Sequence, residues 1–248
     1  MERIQPGVKV QMDRDYQVLE ARHNHQEIVE KYNRIASIYD LFGILMESKA
    51  RQRALEIADI RDGERVLEVA LGTGLNFVEI LKRNARGWVD GVDVSAKMLE
   101  KAEKRIAKTG QKNYRLHLCD CRHLPFGAEH FDVVMSEYLL DILPVEDFVP
   151  ILCEFGRVLK VGGRLIMVHM TKSERLWNRF YEGIYRLKLP LLAGCRGVWA
   201  QPFVEAAGFK RFYREFVSQM GFPSEVIRAV KGPSLSYLTR GQDEASRP

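Results

Sequence analysis

The stretch VLEVALGTGLN, residues 66–76, decides how the rest of the chain is read. An apolar run interrupted by Glu68 enters a loop containing Gly72 and Gly74, and apolar residues then resume at helical spacing in FVEILKRN. A glycine loop that follows a strand faces the polar part of a bound nucleotide. Two residues narrow the choice of nucleotide. A dinucleotide fold needs a third glycine three positions beyond Gly74, so that helix and strand pack closely, and this chain has Phe77 there. Glu68 lies four residues before Gly72, where its carboxylate would sit beneath the loop and face a cationic or amino group. Together they favour a ligand with an amino acid moiety over one with a pyrophosphate. Ala70 stands where a glycine would ease the loop's approach, but one methyl group is the smallest departure, and the two glycines bracketing Thr73 remain.

Working outward, short apolar runs alternate with amphipathic segments. The runs are RVLEVA (65–70), GWVDGVDV (87–94), YRLHLCD (114–120), FDVVMSEY (131–138) and RLIMVHM (164–170). FVEILKRN, SAKMLEKAEKRIAK and DFVPILCEFGRVLK lie among them, each with apolar positions three or four apart. Strand alternating with helix predicts a parallel α/β sheet with helices on both faces, because right-handed crossovers return the chain to the same sheet. FKRFYREFVSQ (209–219) and SEVIRAV (224–230) read as two closing strands joined through Gly221 and Pro223. The expected organisation is a polar arm at 1–25, capping helices at 26–60, a core domain at 61–232 with a helical insertion at 172–200, and a disordered tail at 233–248.

A chain of 248 residues with 46% hydrophobic content is long enough for one sizeable core. The formal charge is +5, and residues 171–231 alone carry eleven Lys or Arg against five Glu. An acidic partner would therefore meet the last third. Cys119, Cys121, Cys153 and Cys195 form no disulfide framework or zinc spacing and read as reduced thiols. His23 and His25 lie in the polar arm without a third ligand, so no metal is expected. The N-terminus has no apolar segment of the signal-peptide kind, and no window reaches the roughly 18–20 apolar residues of a membrane span. The expectation is a cytoplasmic protein, or one peripheral on the inner face of a membrane.

The remaining strand ends supply a constellation. Asp93 closes GVDVS, about 25 residues past Glu68, where a carboxylate accepts hydrogen bonds from both ribose hydroxyls. Asp120 could accept from an exocyclic adenine amine while the Cys121 backbone meets the ring. Ser136 and Glu137 would face the ligand's reactive side. Amino acid, ribose and adenine are the parts of S-adenosylmethionine.

On these residues the chain resembles the class I S-adenosylmethionine-dependent methyltransferases. VLEVALGTG is similar to the first motif of that class, GVDVSAKMLEKA to its second strand and helix, DCRHLPF to its adenine segment, FDVVMS to its fourth strand, and RVLKVGGRLIMV to its fifth strand with the preceding helix. The resemblance implies a seven-stranded, mostly parallel Rossmann-like sheet with an antiparallel last strand. It implies that Glu68, Ala70, Gly72, Thr73, Gly74, Asp93, Val94, Met98, Asp120, Cys121 and Ser136 form the cofactor site. KYNRIASIYDLFG resembles the entry helix of the ubiquinone and menaquinone C-methyltransferases, and LEVALGTGL with MVHM resembles bacterial phospholipid N-methyltransferases. A small or lipid-like acceptor follows, either a quinol carbon or a phospholipid amine.

Methyl transfer from a sulfonium is an in-line displacement that gains most from orientation and a desolvated pocket. An aromatic face near the sulfonium would help hold it. The resemblance places Tyr39 over the cofactor mouth for that role. His169, at the carboxyl end of the fifth strand, is the candidate base, with Glu137 or Tyr138 to orient it. The segment 172–188 is aromatic and basic, which suits a substrate lid, a contact with an anionic membrane surface, or ordinary packing. Nucleic acid is disfavoured because Ser-Glu-Tyr-Leu follows the fourth strand in place of Asn-Pro-Pro-Tyr. The rival readings are a non-catalytic cofactor-binding or interaction module on the same fold and, disfavoured by Glu68 and Phe77, an NAD-binding dehydrogenase. Sequence leaves oligomeric state open.

Overall fold

The computed structural model describes residues 43–171 and 196–233. The polar arm, Tyr39 and its helix, most of the insertion including the basic segment 172–188, Cys195 and the tail all lie outside the described residues. What is described is a seven-stranded sheet in the order β3-β2-β1-β4-β5-β7-β6. The strands are β1 (Arg65–Val69), β2 (Trp88–Asp93), β3 (Tyr114–Leu118), β4 (Phe131–Glu137), β5 (Leu159–Met170), β6 (Phe209–Gln219) and β7 (Phe222–Lys231). β1 to β5 pair in parallel, and β7 runs antiparallel to both of its neighbours, β5 and β6. Strand order reverses between β1 and β4, so the crevice at their carboxyl ends is where a ligand of such a sheet sits.

Five α-helices are described: α1 (Ser48–Ala58), α2 (Leu75–Arg83), α3 (Ala96–Ala107), α4 (Phe148–Val158) and α5 (Gln201–Ala206). Two buried clusters divide the faces. Ala54, Phe77, Ile80 and Ile106 of α1 to α3 pack on Val66, Met135 and Val168, whereas Ile151, Phe155 and Phe203 of α4 and α5 pack on Leu67, Val134 and Met167. Period-two alternation along each strand thus decides which helices a side chain meets. α1 continues directly from a π-helical turn, Gly43–Glu47, and its carboxyl end is held by buried Arg164. That guanidinium donates to the Ala58 carbonyl at 2.9 Å, the Asp59 carbonyl at 3.2 Å and Glu64 Oε2 at 2.5 Å.

Two expectations about the strands are corrected. The hairpin turn is Met220–Gly221, not a connection through Pro223. Gln219 pairs with Phe222, and Met220 (φ 49°) with Gly221 (φ 81°) supplies the two left-handed residues that match the right-handed twist of a hairpin. Pro223 lies inside β7, where its carbonyl accepts from Thr171 N–H at 3.1 Å. β5 begins five residues earlier than its apolar run, at Leu159. The Val161–Gly163 turn is carried as an irregularity in the ladder, with register passing from Phe131↔Leu159 to Val133↔Arg164.

Candidate functional site

β1 is buried from Val66 to Val69, and alternation along it points Glu68 toward the same face as Val66, under α1 and α2. Beyond Val69 the chain turns on three left-handed residues, Ala70 (φ 58°), Gly72 (φ 56°) and Gly74 (φ 78°). The turn is fixed from two sides. Leu71 N–H donates to the Val92 carbonyl at 3.2 Å, and Arg105 of α3 donates to the Thr73 carbonyl at 2.9 Å. Gly74 caps α2, where an added Cβ would lie 3.1 Å from Ala102 Cβ and 3.2 Å from its Cα. The close approach of helix to neighbour thus occurs at Gly74, and Phe77 is accommodated by a glycine elsewhere. Gly91 of β2 leaves room for the Phe77 ring, which would be 2.7 Å from a Cβ there.

Asp93, the last residue of β2, is buried and joins the two loops. Its Oδ2 accepts from Gly72 N–H and its Oδ1 from Ser95 N–H, each at 2.9 Å. Ser95 in turn caps α3, its Oγ accepting from Met98 N–H at 3.2 Å. Burial pushes the Asp93 carboxyl up to about 6 against the opposing pull of these backbone donors. The Val94 N–H also bonds to this carboxylate, which keeps lone-pair capacity for a ligand donor.

At this edge lies an open cleft at the carboxyl ends of β1, β2 and β4, the place where small-molecule sites form in such sheets. Ala70, Gly72, Asp93, Val94, Met98, Asp120 and Cys121 all line it, and Leu139, Ile142 and Leu143 form an apolar wall. Asp120 Oδ1 accepts from Arg122 N–H at 2.9 Å. Burial pushes the Cys119 thiol up to about 11 and the Cys121 thiol higher still, so neither is a thiolate near neutrality.

A second pocket of about 350 Å³ shares Ala70, Gly72, Glu137 and Tyr138 with the cleft and adds Glu68, Thr73, Asn76, Glu47 and Arg51. Arg51 Nε lies 3.0 Å from Glu137 Oε2 and its Nη2 3.1 Å from Glu47 Oε2. Burial raises all three glutamates. Glu47 goes up to about 8, Glu68 is raised further by the charge of Glu137, and Glu137 is opposed by Arg51. Glu47 and Arg51 are site residues that the sequence reading did not select. Their spacing of four on a helix was a visible signal of a pair, but the third member, Glu137, comes from a distant strand.

Three expected residues lie elsewhere. Gly74 acts through α2 packing. Ser136 alternates onto the α4 face of β4 and is buried there with its Oγ unpartnered, so it lines neither pocket. His169 is likewise turned to the α4 face, since Val168 and Met170 occupy the other. It is wholly buried, with Nε2 3.1 Å from Glu225 Oε2. The expectation that Glu137 or Tyr138 orients His169 is therefore corrected: Glu137 is held by Arg51, and the Tyr138 hydroxyl is 2.8 Å from Ser224 Oγ. Another unforeseen residue is Arg196, fully buried, which donates to the Asp141 carbonyl at 2.8 Å and to the Leu143 carbonyl. It ties the segment that begins at Arg196 to the apolar wall of the cleft. No group of three or more His, Cys, Asp or Glu arranged for a metal ion occurs among the described residues.

Comparison with known proteins agrees with this geometry. A family model described as a methyltransferase domain matches residues 66–163. A demethylmenaquinone methyltransferase of Tropheryma whipplei (strain Twist) is 31% identical over 192 residues, covering 75% of each chain. A phosphatidylethanolamine N-methyltransferase of Cereibacter sphaeroides is 35% identical over 144 residues, covering 57% of this chain and 67% of its own. Among solved structures, a Haemonchus contortus phosphoethanolamine N-methyltransferase, in complex with phosphomonomethylethanolamine and S-adenosylhomocysteine, superposes with a TM-score of 0.65 at 17% identity. The match covers 85% of this chain and 61% of that one. A glycine turn beside a buried acid, a second acid at the end of β2 and a cleft at the switch point fit an adenosylated amino acid, and with these relatives they identify the chain as a class I S-adenosylmethionine-dependent methyltransferase of the group that includes the quinone C-methyltransferases and phospholipid N-methyltransferases.

Proposed function

We propose that the enzyme methylates a small hydrophobic or lipid-like acceptor, with a quinol carbon and a phospholipid amine as the two candidate cases. The observation that carries this reading is the apolar wall of Leu139, Ile142 and Leu143 along the cleft that Asp93 and Asp120 also line. The named activities of the relatives point the same way. In this reading Asp93 accepts from both ribose hydroxyls, Asp120 and the Cys121 backbone meet the base, Val94 and Met98 flank it, and Gly72 and Thr73 lie along the amino acid moiety above Glu68. When bound, S-adenosylmethionine supplies an electrophilic methyl group. The chain's own part is to orient the acceptor, exclude water and take up a proton.

A methyl-labelled transfer assay into a total lipid extract, with quinone and phospholipid fractions separated, tests the acceptor class. Label in neither fraction, with cofactor bound, would favour the rival reading of a non-catalytic module on this fold. No helix among the described residues is long and apolar enough to cross a membrane. The basic segment 172–188 is proposed as the contact with an anionic bilayer. Cosedimentation with anionic vesicles should fall when Arg175, Arg179 and Arg186 are neutralised, and unchanged binding would remove that role.

A further inference from the structure

The apolar wall of the cleft, residues 139–143, is a turn that belongs to neither strand nor helix, so its backbone groups need partners from outside any regular ladder. Tyr138 leads into it with φ 51°, an unfavourable conformation for a residue with a Cβ, which persists only where the surroundings impose it. Two buried side chains impose it here. Asp141 Oδ2 accepts from Met170 N–H at 2.7 Å, which fixes the turn to the end of β5. Arg196, 1% exposed, takes the carbonyls of the turn. Its backbone N–H donates to the Asp141 carbonyl at 3.2 Å, its Nη1 to the same carbonyl at 2.8 Å, and its Nη2 to the Leu143 carbonyl. The guanidinium lies 5.8 Å from the centre of the Phe148 ring at the start of α4, and two residues on, Val198 N–H donates to the Met170 carbonyl at 2.8 Å. One short segment therefore holds both the wall and the strand end to which the wall is tied.

A buried guanidinium is a poor choice for stability alone, since an apolar residue of similar size often does as well where packing is the only demand. What it supplies is geometry. Its planar fork offers donors in fixed directions, and here they meet two carbonyls two residues apart, both on buried residues, that a different path of the turn would leave without partners. We infer that Arg196 is a positioning residue for the acceptor: by fixing the carbonyls of Asp141 and Leu143 it sets where Leu139, Ile142 and Leu143 stand along the cleft, and thereby which apolar acceptors fit beside the cofactor. The inference rests on the acceptor reading above and assigns that site its specificity device. Arg196 lines neither pocket, so it acts through the turn. Asp93 and Asp120 are held by bonds of their own, to Gly72, Ser95 and Arg122 N–H, so losing the fork falls on the acceptor and not on the cofactor.

Initial rates of labelled methyl transfer by the full chain separate positioning from general damage, with saturating S-adenosylmethionine and either dihexanoylphosphatidylethanolamine or a short-chain demethylmenaquinol as acceptor. In Arg196→Met the KM of the acceptor that takes label should rise at least about fivefold, while S-adenosylhomocysteine affinity by calorimetry stays within about twofold. Arg196→Lys keeps the charge and can reach one carbonyl, so it should recover part of that KM. Should Arg196→Met not fold, Arg196→Lys makes the same comparison, with a rise of at least about twofold. Gly91→Ala, a packing change on the opposite face of the sheet, should lower stability and leave the KM unaltered. Hydrogen exchange reads the turn without turnover: amides of residues 139–143 should exchange at least about tenfold faster in Arg196→Met and not in Gly91→Ala. An unchanged KM, an equal rise in Gly91→Ala, or unchanged exchange in the turn would overturn the inference alone. Loss of S-adenosylhomocysteine affinity in a folded Arg196→Met, with the acceptor KM unmoved, would give the wall to the cofactor and overturn it as well. Label from the unaltered chain in neither acceptor would overturn the acceptor reading and the inference with it.

Discussion

At Ala70 the backbone adopts φ 58°, a left-handed conformation that disfavours any residue with a Cβ. The strain is worth about 1–2 kcal/mol, and glycine's greater freedom in the unfolded chain offsets about 0.5–1 kcal/mol of what its introduction would relieve. Ala70→Gly should therefore leave the thermal midpoint unchanged or raise it by a few degrees, with cofactor affinity within a few fold. A more than tenfold loss of affinity by calorimetry would mean that the loop depends on the methyl group. Asp93 is the opposite case. Asp93→Ala strips the acceptor from both Gly72 N–H and Ser95 N–H, and a buried donor left without a partner costs about 1–3 kcal/mol. Denaturant melts should show a loss of about that size or more, and S-adenosylhomocysteine binding should fall at least about tenfold. Unchanged cofactor affinity would remove Asp93 from the site.

Among the elements, α2 and β2 are fitted to each other at Phe77 and Gly91. Because an added Cβ on Gly91 would be 2.7 Å from the Phe77 ring, Gly91→Ala should destabilise by about 1–3 kcal/mol, the usual cost of overpacking. Combining it with Phe77→Leu should recover part of that loss, and strictly additive losses in urea unfolding would contradict direct packing of the two. α1 depends on an anchor remote from the pocket it serves. Arg164 holds the carbonyls at its carboxyl end, while Glu47 and Arg51 at its start face Glu137. Arg164→Met should lower stability by roughly 2–4 kcal/mol, since it orphans buried carbonyls and Glu64. Addition of cofactor should restore part of the lost midpoint, because the ligand binds the folded state alone.

For the whole molecule, buried carboxyls give stability an unusual slope with pH. Glu47 is pushed up to about 8, and Asp93 and Asp141 up to about 6, chiefly by burial. Between their ordinary values near 4 and these raised ones, the folded chain binds more protons than the unfolded chain, so the free energy of unfolding falls as pH rises. Groups held low, such as Glu225 beside His169 and Arg214, contribute stability that is present above about pH 4 and lost only below it. The unliganded protein should accordingly melt at a higher temperature at pH 5.5 than at pH 8, and Glu47→Gln should flatten the limb between 6 and 8. A midpoint that rises across that interval would contradict the burial of these groups. Cofactor affinity should move the other way, increasing from pH 5 to 7 as Asp93 ionises to receive hydroxyl donors.

Local pattern was enough for the alternation of strand and helix, the glycine turn and the acids at the ends of β1 and β2, because these depend on neighbours within a few residues. It was not enough for side-chain direction at the strand ends: Ser136 and His169 follow their strands' alternation onto the α4 face, while Glu137, one residue from Ser136, turns to α1. The hairpin turn at Met220–Gly221 was misplaced because Pro223 reads as a breaker although its carbonyl still bonds to Thr171. Motif spacing by itself determined the class of fold and the kind of cofactor. Only the tertiary structure decided that Glu47, Arg51, Glu68 and Glu137 share one pocket, because their meeting depends on the parallel pairing of β1 with β4 and on where Arg164 fixes α1 across them.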